Sequence, residues 1–248
     1  MKTAFKELKR IARANLIGNY NIAMRALTTM MLITLAIELP FSVLLRTEHP
    51  TTMQNILYYI VELLISIISG VLQIGLIQLH LSLARGQKIA YNQVFHCFRT
   101  QTDRYIISIV AKLLLYVISA SPAILGMYLF ETSTERNLRI CAIILCIISA
   151  VCMIFVSLSF YFVSYVLLDH ADISVIKGFQ QSYRFMKGQR LRLLFLFISF
   201  IGMGILEILS VGIGAFWIEP YKSQTIANFY LDITGESAPS YFPFQAYI

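Results

Sequence analysis

The stretch LLDHADISVIKGFQQSYRFMKGQRLRLLFLFISF, Leu167 to Phe200, holds three kinds of segment in succession. An apolar run ends at Asp169. A segment of mixed polarity follows, with Val175, Ile176, Phe179, Tyr183 and Met186 expected on one helical face, because apolar residues three and four apart share a face. Lys187, Gly188, Arg190 and Arg192 then mark a turn into a second apolar run. A basic amphipathic helix between two apolar runs is expected to lie along a membrane surface. Lys177, Arg184, Lys187, Arg190 and Arg192 would face anionic lipid headgroups there, each gaining about 1 kcal/mol.

Composition agrees with a bilayer as solvent. Apolar residues make up 58% of the chain and charged residues 13%, against roughly 45–50% and 25% in soluble domains. The chain of 248 residues has room for five to seven spans, at about 20 residues per crossing. Seventeen Phe and fourteen Tyr suit a lipid-facing surface with aromatic belts. The net charge of +7 could suggest nucleic acid, but the basic residues sit beside apolar runs, so lipid headgroups are the simpler partner.

Working outward, Thr3 to Ile17 reads as another basic surface helix, with Phe5, Leu8, Ile11, Ala12 and Leu16 on one face and Lys6, Lys9, Arg10 and Arg13 on the other. Gly18 supplies its stop. Spans are expected at about Ala26–Leu45, Gln54–Leu83, Tyr105–Phe130, Leu138–Leu168 and Leu191–Leu209, with Pro122 as a kink in the third. Val211–Gly214 should form a tight glycine turn. A sixth span, Ala215–Leu231, carries Glu219, Pro220 and Lys222 in its first half and reads as broken or re-entrant. The expected organisation is a basic helix over 1–20, a six-span all-helical membrane domain over 21–232 and a tail over 233–248.

Charge asymmetry supports this layout. With both termini inside, the inner segments hold fifteen Lys and Arg, and the outer turns hold Arg46, Arg136 and Arg139, which is the positive-inside pattern. The layout also suggests three units, each a basic segment, a turn and a helical hairpin, with turns at Gly18, Thr102 and Gly188, 84 and 86 residues apart. Residue identity between the units is poor, and any six-span chain contains three hairpins.

The opening stretch, Leu83-Ala-Arg-Gly86, Gly202 and Gly204, Gly212-Ile-Gly-Ala-Phe-Trp-Ile-Glu-Pro-Tyr221, Ala227-Asn-Phe-Tyr-Leu-Asp232 and Leu8-Lys-Arg-Ile-Ala-Arg-Ala-Asn-Leu-Ile-Gly-Asn19 together resemble the bacterial membrane family known as domain of unknown function 975. The resemblance covers nearly the whole chain. It implies a polytopic helical protein of a bacterial cytoplasmic membrane, and no active site. Lys112 and the cysteine-rich fourth span depart from the family pattern.

Site residues are sought among the ionisable groups that a bilayer should exclude, since a charge at mid-span costs about 2.5–3.5 kcal/mol and usually faces protein or water. At 1.5 Å per residue, Glu38 and Glu62 lie roughly 10 to 12 Å from the outer helix ends, and Glu219 and Lys222 roughly 6 to 11 Å. With Glu207 near the outer surface and Lys112 in the inner half, these six form the candidate polar cavity. Their ordinary reading is helix glue, snorkelling, or a one-turn Glu219–Lys222 pair; their functional reading is a cation, proton or amine site. Lys9, Arg10, Arg13, Lys177, Arg184, Lys187, Arg190 and Arg192 are the candidate headgroup contacts.

No nucleophile–base set, phosphate-binding loop or dinucleotide fingerprint occurs. The histidines have no metal-ligand spacing, and the cysteines read as small apolar packing residues. No catalytic residue, cofactor or metal is therefore expected. The sequence favours a non-enzymatic protein that binds or senses lipid or another amphiphile, in envelope maintenance or protection. A small transporter, or transporter subunit, with an outward-facing acidic cavity is the alternative. Membrane lipids are the expected partners, nucleic acid is not, and a homo-oligomer or a partner membrane protein is left open.

Overall fold

The computed structural model describes residues 3–45, 51–133 and 135–236; Lys2, Arg46, His49 and the tail from residue 237 on, including its prolines, lie outside them. Among the described residues all regular structure is helical. The elements are α1 Phe5–Leu16, α2 Tyr20–Leu45, α3 Thr52–Ala84, a 3-10 helix Tyr91–Phe98, α4 Thr102–Thr132, α5 Arg136–Ser159, α6 Val163–Asp169, α7 Val175–Met186, α8 Arg190–Ile198, α9 Ile201–Leu209 and α10 Ala215–Thr234.

Five helical stretches are long and apolar enough to cross a membrane: 20–43, 52–84, 102–132, 136–169 and 190–209. Their surfaces are apolar too, with Val117, Ile118, Val151 and Ile208 all exposed, as expected where hydrocarbon replaces water. The fourth and fifth stretches are not the single smooth spans that hydropathy suggests. Phe160–Phe162 separate α5 from α6, and Ser199–Phe200 separate α8 from α9.

The expected sixth span differs further. α10 is continuous through Pro220, so the break inferred from that proline does not occur. Proline in the second turn removes one intrahelical hydrogen bond, and packing compensates, since Pro220, Tyr221 and the run from Gln224 to Leu231 are buried. With Glu219, Lys222, Gln224 and Asn228 along its length, α10 is not among the five apolar stretches.

The chain divides into two compact units, residues 1–106 with 196–248 and residues 107–195. In the first, α2 and α3 pack as a hairpin with Thr34 and Ser69 hydroxyls 3.3 Å apart. Thr51 and Gln54 cap α3 reciprocally, which satisfies two backbone donors at its start. The 3-10 helix lies on the second half of α3 at Gly75, where any Cβ would overlap the Val94 carbonyl. α10 packs along α1, α2 and α3.

In the second unit the Ser149 hydroxyl donates to the Ser119 carbonyl at 2.8 Å across α4 and α5. α7 packs on α6 and the end of α5. Its buried face is Gly178, Ser182 and Met186; of the five residues expected to share a face, Met186 is buried, Val175 and Phe179 are half-buried, and Ile176, 71% exposed, and Tyr183 lie open. Close approach decides the face. Gly178 sits where a Cβ would be 2.8 Å from Leu167, and Ser182 donates to the Ser159 carbonyl at 3.1 Å. Large side chains at those positions would hold the helices apart.

Candidate functional site

The short helices α1 and α7 are built alike. Each has twelve residues and ends at a glycine in the left-handed region, Gly18 at φ +80° and Gly188 at φ +77°. Only glycine adopts that conformation without a Cβ penalty. Each is followed at once by an apolar helix. The buried positions coincide when the second segment is read 170 residues after the first: Leu8, Ala12, Leu16, Ala23 and Ala26 against Gly178, Ser182, Met186, Leu193 and Leu196. The segment between them departs from this register. Its turn residue is Gln101 at φ +54°, not Thr102 as spacing suggested, and its 3-10 helix buries Val94 and Cys97 three residues apart. Burial pushes the Cys97 thiol up to about 11.

The basic residues singled out from sequence divide into two groups. Lys177, Arg184 and Lys187 are exposed on α7 and the turn that follows. The others are engaged by protein. Lys9 donates to the Ser199 carbonyl at 3.1 Å and lies 4.4 Å from the Phe200 ring. Burial, with the neighbouring Arg13 charge, lowers the Lys9 ammonium below its ordinary value. Arg10 pairs with Glu7 at 2.6 Å, and Arg13 stands 5.5 Å from the Tyr221 ring. Arg190 lies 4.4 Å from the Phe155 ring and 4.5 Å from the Tyr183 ring, sandwiched between them. Arg192 is half-buried. A charge on an aromatic face is held by the ring quadrupole, so these side chains join packing to electrostatics.

Three of the six cavity residues come together. Lys222 donates to Glu207 at 2.9 Å and to Glu219 at 2.8 Å, joining α9 to α10 across the turn at Val211 and Gly212. The one-turn pairing within α10 is the one that spacing suggested. Glu38 is exposed and Glu62 half-buried. Among the described residues no hydrogen bond or ion pair joins either to this cluster. Lys112 belongs to the other unit, where it donates to the Ser164 hydroxyl at 2.8 Å.

A polar network in the first unit escaped sequence reading. Gln224, with its amide turned to satisfy its neighbours, donates to His80 Nδ1 at 3.0 Å and to the His80 carbonyl at 3.3 Å, and accepts from Asn15 at 3.3 Å. Asn15 also donates to Asn228 at 3.2 Å. His80, Gln224, Thr225 and Asn228 are fully buried, so α1, α3 and α10 meet through amides rather than apolar packing alone. Hydrogen bonds between buried amides favour one arrangement of their helices, although His80 Nε2 and Asn228 Nδ2 find no partner among the described residues. The available signal was Gln224, Thr225 and Asn228 on adjacent turns of an otherwise apolar helix.

Helices of this length and apolarity, bearing exposed aliphatic side chains and short basic helices at two of their entrances, define a multi-helix membrane protein. The chain belongs to the family described as protein of unknown function (DUF975), whose model matches residues 1–237. No curated protein and no solved structure matches it.

Proposed function

We propose that this protein is a non-enzymatic multi-pass protein of a bacterial cytoplasmic membrane that binds or senses anionic lipid or a related amphiphile, in envelope maintenance or protection. Both termini and the helices α1 and α7 are assigned to the inner face. The observation that carries this reading is the shared design of α1 and α7. Each buries one stripe against protein and carries exposed cations, Lys6 and the Glu7-paired Arg10 on α1 and Lys177 and Arg184 on α7, just before a helix apolar enough to enter hydrocarbon. Each also leaves a large aliphatic residue uncovered, Ile17 and Ile176. Charge attracts the anionic surface and the aliphatic side chain inserts beneath the headgroups.

The test is lipid retention. The full chain is purified in a neutral detergent, and bound lipid is identified by native mass spectrometry. Replacing Lys177, Arg184 and Lys187 together by Gln should reduce retained anionic lipid several-fold at unchanged thermal stability, since all three side chains are exposed. Equal retention in that variant overturns the reading.

A transporter is the second reading, favoured by the Glu207–Lys222–Glu219 cluster, whose two carboxylates and one ammonium leave one negative charge in a half-buried setting. It requires that Glu207→Gln or Glu219→Gln abolish substrate or proton movement in vesicles while the protein stays folded.

A further inference from the structure

An open apolar groove of about 460 Å³ runs along the hairpin of α4 and α5. Met127, Phe130, Ile143 and Ile147 line it together with Gly126, and Glu131, in the last turn of α4, lines it too. Small residues create it. A Cβ on Gly126 would lie 2.8 Å from the Ala142 carbonyl and 3.1 Å from Cys146 Sγ, so the backbones approach closely there while the larger side chains stand to either side. A lane of this kind accepts one extended hydrocarbon chain.

Charge decides which chain. Among the described residues that line it, Glu131 is the one acidic or basic side chain. Of the two arginines in the first turn of α5, Arg136 is exposed and Arg139 is engaged: its Nε donates to the Ser133 carbonyl at 3.0 Å, and its guanidinium lies 5.7 Å from the Phe130 ring. Glu131 is exposed in the free groove, and an alkyl chain laid beside it would desolvate the carboxylate, which favours a headgroup that brings a counter-cation. An alkyl chain in the groove carries its headgroup to that carboxylate.

We propose that the α4–α5 groove binds a single-chain amphiphile with an ammonium headgroup, the chain lying between Met127, Phe130, Ile143 and Ile147 and the ammonium pairing with Glu131. This rests on the reading of the protein as an amphiphile binder and adds to it a ligand of opposite charge at a different place. A chain that takes anionic lipid at its basic helices and a cationic amphiphile at this groove would handle both kinds of membrane-active molecule.

The experiment uses the full-length protein in neutral maltoside detergent, titrated separately with dodecyltrimethylammonium and dodecyl sulfate and followed by native mass spectrometry. The wild type should hold one ammonium adduct in preference to sulfate. Glu131→Gln should weaken the ammonium adduct by about fivefold, the upper range for an ion pair at a half-exposed site. Ile147→Trp fills the lane from a position that is 58% exposed, so packing is retained, and should abolish the adduct. Equal binding of the two probes, an ammonium adduct insensitive to Glu131→Gln, or one that survives Ile147→Trp overturns the proposal. Anionic lipid retained through α7 is read in the same spectra, so failure at the groove is distinguishable from failure of the wider reading.

Discussion

The segment α1–Gly18–α2 and the segment α7–Gly188–α8 have the same backbone and the same buried positions, yet share almost no side chains. The first places large residues on its short helix, Leu8 and Leu16, and small ones on the helix that follows, Ala23 and Ala26. The second has Gly178 in place of Leu8, and Leu193 and Leu196 after the turn, while Leu16 and Met186 are both large and Ala12 and Ser182 both small. A cation and an aromatic are exchanged as well: Arg13 and Tyr20 stand where the other segment has Tyr183 and Arg190. The corner is therefore specified by a left-handed glycine, and the volume at each buried position of the short helix is set by the helices it meets, α10 and α3 for α1, α5 and α6 for α7.

The largest effect is expected where the register fails. Gly75→Ala drives a methyl into the Val94 backbone, which cannot yield as a side chain can, and should cost about 3 kcal/mol or more, measured as thermal unfolding in detergent. Gly178→Ala meets only the end of the Leu167 side chain and should cost clearly less. A comparable loss at both sites would break the distinction between the middle segment and the third.

Leu8→Ala empties a fully buried position and should cost about 2–5 kcal/mol. Its counterpart Gly178 has nothing to remove, so the pair tests whether volume sits on the short helix in one segment and beyond the turn in the other. Leu193→Ala should then cost as much as Leu8→Ala, whereas replacing Ala23 by Gly should cost about 1 kcal/mol.

Gly18→Ala and Gly188→Ala face open space, so only the left-handed backbone opposes them. Each should lose about 1–2 kcal/mol, and the two losses should agree. Unequal values would show that the corners are alike only in outline. Arg190→Lys keeps the charge but loses the flat guanidinium between Phe155 and Tyr183, with an expected loss of about 1 kcal/mol.

The smallest effect concerns Glu7. Its hydrogen bond to Arg10 holds the carboxyl below its ordinary value, so any stability from the pair is present at neutral pH and fades as pH falls through the carboxylate range. Both side chains are open to solvent, and water screens the pair. Melting temperature should therefore follow pH identically in the wild type and in Glu7→Gln.

Much of the fold was legible as hydropathy. The five apolar stretches appear within a few residues of where the sequence put them, except that α2 begins at Tyr20, because helical hydrogen bonding continues through polar residues that hydropathy discounts. The interruptions at Phe160–Phe162 and Ser199–Phe200 were not legible, since neither contains a proline or a glycine. On α7 apolar spacing picks out Ile176 and Tyr183, whereas burial against protein fell to Gly178 and Ser182 through close approach, which spacing does not report. In the candidate sites, one-turn spacing predicted Glu219 with Lys222, but nothing local could add Glu207. The link from Asn15 through Gln224 to His80 joins residues more than a hundred positions apart, beyond the reach of any helical period.

What the sequence determined by itself was the solvent and the elements: a 58% apolar composition calls for helices that satisfy their own backbones in hydrocarbon, and glycine at 18 and 188 permits left-handed corners between them. Tertiary structure alone decided which faces are buried, which charges meet, and where a groove opens. Those depend on how closely two helices approach, and approach is set by small residues such as Gly75, Gly126 and Gly178 acting on a partner far away in the chain.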